Sequence, residues 1–289
     1  MILATLLLMQ AAYSPETEAV MRRSRQTPRQ ERAIKAKPEG LSLYLPPETA
    51  VKLQACIDAA TDDPAAGLTF AQDWAKDDGG FSAAQCIGYA HARAEQWADA
   101  VAAFDAAAQA ARQAGSPADA ARLSAQAGNA ALAGGMAEKA RGYFDAALAG
   151  SLPDGAAKGE AHLDRARALV ALGDIAAARG DLDAALKQVP EDPLAWLLSA
   201  TLARRQSEME RARMDIAEAK RRAPDDASVA LEDGKIAMMA GDEAGAKAAW
   251  NHVLTLAPSG EQAAAAREML GRLDRAEEKP DTASQPHSR

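Results

Sequence analysis

A chain of 289 residues, 48% of them hydrophobic, is long enough to bury a substantial core, although only 4% of its residues are aromatic. The net charge of −8 is uneven: residues 1–37 hold seven Lys and Arg against three Glu, giving +4, so the remainder carries −12. An acidic body argues against nucleic-acid binding, which requires a basic surface. Alanine dominates the apolar residues and no alternating β-branched run occurs, so the composition predicts an all-α chain.

The first 12 residues, Met1–Ala12, form an apolar run. It is too short to span a bilayer, which takes about 20 residues. Its length and the small residues at its end are typical of a secretory signal peptide, which predicts export to the periplasm. No Lys or Arg precedes the run. The alternative is therefore a misplaced start codon or a short helix in a cytoplasmic protein.

Residues 13–46 are rich in Arg, Pro, Gln, Glu and Ser, with few large apolar side chains before Leu41. Such a stretch cannot bury enough surface to offset its ordering entropy, so we predict a flexible linker. Its basic residues would suit a membrane surface or an acidic partner, or they are simply solvated. Residues 276–289 have the same character and predict a disordered tail, which leaves residues 47–275 for the folded domain.

The sequence between these tails is periodic. A small residue, a large apolar residue four positions later and a proline recur three times at intervals of 34 residues. The three copies hold Ala178, Leu182 and Pro190; Ala212, Ile216 and Pro224; and Ala246, Trp250 and Pro258. Earlier matches to the first two positions are Ala66 and Phe70, Ala100 and Phe104, and Ala140 and Phe144.

This period and signature resemble those of the tetratricopeptide repeat family, whose unit is a pair of antiparallel helices. The resemblance implies a right-handed α-solenoid of about six helix pairs with a C-terminal capping helix, in which stacking buries the apolar face that each pair cannot bury alone. Another α-solenoid is the rival fold. The predicted units are 47–80, 81–114, 121–154, 159–192, 193–226 and 227–260, followed by a closing helix over 260–275.

Turn-forming residues agree with this register. Extra residues are expected near 115–117, before the third unit, and near 150–155, between the third and fourth units. They would form longer loops or extended helices. Gly173-Asp174 and Gly241-Asp242 are each expected to end a first helix and cap the second. Asp192-Pro193 is expected to open a unit, with an N-cap followed by Pro at the first helical position.

No motif of a catalytic, metal or cofactor site is present. The four His residues are not at metal-ligand spacing, and the sequence has no HExxH, P-loop or GxSxG motif. The acidic residues scatter along predicted helix surfaces. We therefore expect a protein that is not an enzyme and that holds no cofactor or metal.

Cys56 and Cys86 are the only cysteines. The repeat alignment puts them on the first helices of adjacent units, at positions one helical turn apart, and such helices lie side by side in this family. We predict a disulfide, with Cα atoms within about 4.4–6.8 Å of each other. The alternative is two free buried thiols, as is usual in the cytosol.

The resemblance also implies that first helices line a concave groove through a fixed set of positions in each unit. Those positions give the candidate partner-binding residues Tyr89, Arg93, Asn129, Arg167, Thr201, Arg204 and Lys235. Arg and Asn side chains suit carboxylates and backbone amides of a peptide. Arg167, Arg204 and Lys235 are expected to form an exposed basic strip, so that reversing Arg167 and Lys235 to Glu would weaken binding and barely change stability. The alternative is that these are ordinary exposed polar residues.

Together these features favour a non-catalytic scaffold that binds a protein or peptide partner in its groove, in a bacterial cell envelope. The alternatives are a structural or self-assembling solenoid and a cytosolic regulator. We expect no stable transmembrane segment, and the oligomeric state is open.

Overall fold

A computed structural model describes residues 45–277. The predicted signal peptide (1–12), almost all of the predicted linker and most of the predicted tail lie outside the described residues. Within them the chain forms thirteen α-helices and no β-strand. In chain order the helices are α1 (Pro47–Asp62), α2 (Pro64–Lys76), α3 (Gly80–Arg93), α4 (Trp97–Gln113), α5 (Pro117–Ala133), α6 (Ala137–Ala149), α7 (Ala156–Leu172), α8 (Ile175–Gln188), α9 (Pro193–Arg205), α10 (Met209–Arg222), α11 (Ala227–Met239), α12 (Glu243–Leu256) and α13 (Glu261–Glu277).

The all-α solenoid fold is confirmed. Residues divide into two compact units within α9, and the described parts are an amino-terminal unit (45–202) and a carboxy-terminal unit (203–277). In the amino-terminal unit α1/α2, α3/α4, α5/α6 and α7/α8 pack as pairs; in the carboxy-terminal unit α11 packs on α12, and α13 covers both. The extra residues near 115–117 fall at the turn between α4 and α5, which each have 17 residues. Those near 150–155 form the loop between α6 and α7, and α7 also has 17 residues.

Helix ends follow the turn chemistry of the sequence. Gly173 and Gly241 have φ angles of 78° and 79°, a left-handed conformation that glycine adopts without steric cost. The next residue in each case, Asp174 or Asp242, accepts a hydrogen bond from a backbone N–H in the first turn of the second helix. These interactions end one helix and start the next at the predicted residues.

In three of the helix pairs, an aromatic ring of the second helix packs on a glycine of the first. A Cβ atom added to Gly88 would lie 2.7 Å from the ring of Phe104, and one added to Gly128 would lie 2.8 Å from the ring of Phe144. Gly234 has the same relation to Trp250 in the carboxy-terminal unit. The absence of a side chain on the first helix therefore makes room for the ring that fills the core.

A disulfide joins the first two pairs. Cys56 of α1 and Cys86 of α3 are bonded, with Cα atoms 6.3 Å apart, inside the predicted range. Both residues are fully buried among Leu53, Trp74 and Ala83. The bridge therefore ties one first helix to the next across the interface between pairs.

Candidate functional site

The predicted binding residues all lie on first helices: Tyr89 and Arg93 on α3, Asn129 on α5, Arg167 on α7, Thr201 and Arg204 on α9, and Lys235 on α11. In the amino-terminal unit, we call the side of α3, α5 and α7 that bears these residues, together with the adjoining side of α1, the first-helix face. Neighbouring first helices touch directly at α1–α3 and α5–α7 in the amino-terminal unit, and α11 touches α13 in the carboxy-terminal unit. Side chains on this face can therefore bond from one repeat to the next.

A polar cluster forms where α1 meets α3. Thr61 Oγ1 and Tyr89 Oη share a hydrogen bond of 3.0 Å, and Arg93 Nη2 donates to the carbonyl oxygen of Thr61 at 3.4 Å. Arg93 itself remains exposed, while Tyr89 is half-buried. The structure thus brings two predicted residues together with Thr61, which the repeat pattern does not single out. We name these three residues the Thr61 cluster.

A second set of bonds joins α3 to α5. Arg122 Nη2 donates to Gln85 Oε1 at 3.2 Å and to Asp119 Oδ1 at 2.9 Å, and Asp119 also accepts from Ser116 Oγ. Gln85 and Asp119 are buried. Gln85 and Arg122 occupy positions 5 and 2 of their predicted units, which are groove positions in the family, so the repeat register could have identified both residues.

The remaining residues of the amino-terminal unit differ in accessibility. Asn129 is exposed. The Arg167 side chain is only 13% exposed, and its Nη1 atom lies 2.7 Å from Asp164 Oδ1 of the same helix. Thr201 Oγ1 is buried and has no hydrogen-bond partner within residues 45–277. Asn129 and Arg93 are therefore the predicted residues in this unit that present polar groups to solvent.

In the carboxy-terminal unit, two predicted cations share one buried carboxylate. Arg204 Nε donates to Glu232 Oε1 at 2.6 Å, and Lys235 Nζ lies 3.8 Å from Glu232 Oε2. Lys235 is 10% exposed, and Glu232 is nearly inaccessible. A buried carboxylate needs cationic partners to offset its lost hydration. The expectation of an exposed basic strip of Arg167, Arg204 and Lys235 is therefore wrong. Replacing Lys235 with Glu would place a second carboxylate beside that of Glu232.

A partly buried ion network connects α6, α7 and α8. Arg165 donates from Nε and Nη2 to both oxygens of Asp181 at 2.7 Å and from Nη1 to Asp145 at 2.8 Å, while His162 Nδ1 lies 2.8 Å from Asp181. Burial alone raises the pKa of Asp181, but the hydrogen bonds from Arg165 and His162 lower it by more, so this pKa lies below its ordinary value. The network thus ties the first helix α7 to the second helices α6 and α8 on either side of it.

The exposed polar side chains of Arg93 and Asn129 are hydrogen-bonding groups. Within residues 45–277, no group of three or more His, Cys, Asp or Glu side chains is placed to hold a metal ion. None of the helices described is both long enough and apolar enough to cross a membrane. Exposed guanidinium and amide groups on rigid helices can bond to peptide carbonyls and carboxylates.

Comparison with known proteins agrees with the fold. Residues 163–227 match the family model described as tetratricopeptide repeat. No curated protein matches the chain in sequence.

Three solved structures illustrate the similarity. PilW, described as a widely conserved type IV pilus biogenesis factor, has a TM-score of 0.65 at 17% identity, covering 78% of this chain and 100% of PilW. A tetratricopeptide repeat protein from Parabacteroides merdae has a TM-score of 0.58 at 16% identity, covering 78% of this chain and 87% of that protein. YrrB, described as a TPR protein with an unusual peptide-binding site, has a TM-score of 0.50 at 17% identity, covering 68% and 96%. At these identities the likeness concerns the fold.

Proposed function

Because this chain is a tetratricopeptide repeat protein, we propose that it is a non-catalytic scaffold that binds a protein or peptide partner on its first-helix face, in a bacterial cell envelope. The observation that carries the proposal is the arrangement of Arg93 and Asn129. Both are exposed on first helices that neighbouring helices hold in place through the Thr61 cluster and the Gln85–Arg122 bond. Groups held in this way lose little conformational entropy when a partner binds.

Two further observations support the partner class and the compartment. YrrB, which has the same fold, is described as having a peptide-binding site, and PilW as acting in pilus biogenesis. The bridge between Cys56 and Cys86 is the kind of bond that persists in oxidising compartments such as the periplasm.

The proposal is tested by capture from an envelope extract with purified wild-type protein and two variants of equal charge change. R93E/N129D alters the first-helix face, and R112E/Q113E alters exposed residues on the second helix α4. We expect the partner's recovery to fall at least about tenfold with R93E/N129D. The new carboxylates would repel carboxylates of the partner, and the charge-assisted hydrogen bonds of Arg93 would be lost. Recovery with R112E/Q113E should match that of wild type.

Equal recovery with all three proteins would place the partner elsewhere and contradict the proposal. Light scattering of the purified protein separates the self-assembly alternative. Concentration-dependent growth in mass at micromolar concentration, abolished by R93E/N129D, would mean that the face binds a second copy of the chain.

A further inference from the structure

Among residues 45–277, the pair α1/α2 packs against one neighbouring pair, whereas the pairs α3/α4 and α5/α6 each pack against two. Among the described residues, α1 packs against α2 and α3, whereas α5 packs against α4, α6 and α7. In stacked repeats each pair is stabilised by its interfaces with neighbouring pairs, and a pair with one such interface opens more readily than a pair with two. Both helices of the pair α1/α2 contact α3, so the α1–α3 and α2–α3 contacts together hold this pair docked.

The Cys56–Cys86 bridge lies within the α1–α3 contact. Both sulfurs are fully buried, and they share a core with Leu53, Trp74 and Ala83. The bond closes a loop with a sequence separation of 30 residues and so removes much of the freedom that α1 and α2 would gain on opening.

The same two helices carry the Thr61 cluster. Thr61 follows Cys56 on α1 by little more than one turn, and Tyr89 follows Cys86 on α3 by about one turn. The Thr61–Tyr89 bond of 3.0 Å and the Arg93–Thr61 contact of 3.4 Å exist only while α1 lies against α3. Opening of the first pair would release Arg93 and Tyr89 from the positions in which the structure holds them.

We infer that oxidation of Cys56 and Cys86 completes the first-helix face, so that its α1–α3 portion binds a partner only after the bridge has formed. This inference rests on the proposed function and adds a condition for it. In a reducing compartment the first pair opens from α3, and in an oxidising one it is fixed in place.

The redox step is thiol–disulfide exchange with an acceptor disulfide, supplied by an oxidoreductase or a small-molecule disulfide. One cysteine thiolate attacks the acceptor to give a mixed disulfide and releases one acceptor thiol; the second cysteine thiolate then displaces the other acceptor sulfur. One disulfide forms in this chain, one is reduced to two thiols, and the two electrons pass to the acceptor. Because both sulfurs are inaccessible in the folded protein, exchange takes place before α1 docks. The bridge thus acts once, during maturation.

Hydrogen exchange of the full-length protein tests the docking. In C56A/C86A, the amides of α1 and α2 should exchange at least about tenfold faster than in oxidised wild type, because local opening is no longer restrained. The amides of α5 to α8 should be unchanged. The control T61V removes the hydroxyl bond to Tyr89 but keeps the bridge, and its α1 and α2 amides should remain close to wild type. Unchanged protection of α1 and α2 in C56A/C86A would overturn the inference.

A binding measurement links docking to the face. Random 12-residue peptides are selected by display on oxidised wild-type protein, and those whose affinity falls at least about tenfold with R93E/N129D are retained as probes. Their dissociation constants for C56A/C86A should rise at least about tenfold. Equal affinity would overturn the inference while leaving the proposed function intact. Selected peptides that are all insensitive to R93E/N129D would instead contradict the proposed function, and hydrogen exchange would still decide the docking.

Discussion

Asp181 illustrates how a single carboxylate is made tolerable in the interior of a helical repeat. Its side chain is 6% exposed, and both oxygens accept hydrogen bonds from Arg165, with His162 adding a third contact. Arg165 also reaches Asp145, a residue of the preceding pair whose side chain is 52% exposed. Asp181 and Asp145 thus share Arg165 as a partner but differ in burial. Comparing the two therefore isolates the effect of desolvation.

Replacing Asp181 with Asn should lower the free energy of unfolding by about 2–4 kcal/mol at neutral pH, because Arg165 would keep its buried charge and lose its bidentate partner. Asp145→Asn, the exposed control, should cost about 1 kcal/mol or less. Urea denaturation of the three proteins gives both values.

The stabilisation by Asp181 depends on pH with a definite sign. The pKa of its carboxyl in the folded protein lies below the ordinary value of 3.8, so the contribution is fully present above that value and disappears as the pH falls through the lower folded-state pKa. The difference between wild type and D181N should therefore be constant near neutrality and shrink below about pH 4. A constant difference down to about pH 2 would show that the charge of Asp181 is not its source.

Residue-level pairing was the part of the candidate site that sequence could not provide. The repeat register places Arg167 and Lys235 in equivalent slots, but it does not say which carboxylate each cation meets. Asp164 is three residues before Arg167, and Glu232 three before Lys235, so either side chain could have turned to a helix neighbour or to solvent. Burial of Glu232 settled the matter for Lys235 and Arg204, and burial is a property of the packed structure.

At the level of helices, the fit between Gly128 of α5 and Phe144 of α6 sets how closely the two helices approach. Phe144 is fully buried, and its ring lies where a side chain at position 128 would begin. Gly142, two residues before Phe144 on the same helix, is exposed, and a Cβ atom added to it would meet no atom of another helix within 4 Å. The two glycines therefore differ in environment while sharing a helix pair.

Gly128→Ala should destabilise the protein by about 1–3 kcal/mol, since the new methyl group overlaps the Phe144 ring and the core must shift. Gly142→Ala should stabilise it by about 0.5–1 kcal/mol, because alanine has the higher helix propensity and meets no obstacle. Thermal unfolding followed by circular dichroism compares both with wild type. A stabilising effect at position 128 would mean that the two helices are less tightly packed than described.

Helix positions could be predicted from sequence because the responsible interactions are local. The period of 34 residues and the Asp caps at Asp174 and Asp242 depend on neighbours in the chain. The insertions were harder to assign, since turn-forming residues such as Gly115 and Pro117 are compatible with either a longer loop or a longer helix. In the structure Pro117 opens α5, a position where its missing N–H costs nothing.

For the molecule as a whole, the Cys56–Cys86 bridge is the covalent restraint, and the alignment of repeats, taken with the signal-like N-terminus, predicted it. Removing the bridge in C56A/C86A should lower stability by about 3–4 kcal/mol in the chain-entropy model for a loop of this length. The midpoint of urea unfolding should fall accordingly. Reductant should lower the midpoint of wild type towards that of the variant and leave the variant unchanged. Two free thiols in unreduced, denatured wild-type protein would contradict a formed bond.

The contact between a glycine and an aromatic ring in three helix pairs also has an evolutionary consequence. Gly88 and Phe104, Gly128 and Phe144, and Gly234 and Trp250 each divide one fixed volume between two positions 16 residues apart. A relative that has a larger residue at the first position must have a smaller one than the aromatic residue at the second. The sizes of the residues at the two positions should therefore covary inversely among relatives. In each pair, the sizes of the two residues should therefore be inherited together, although the residues lie at two separate positions in the gene.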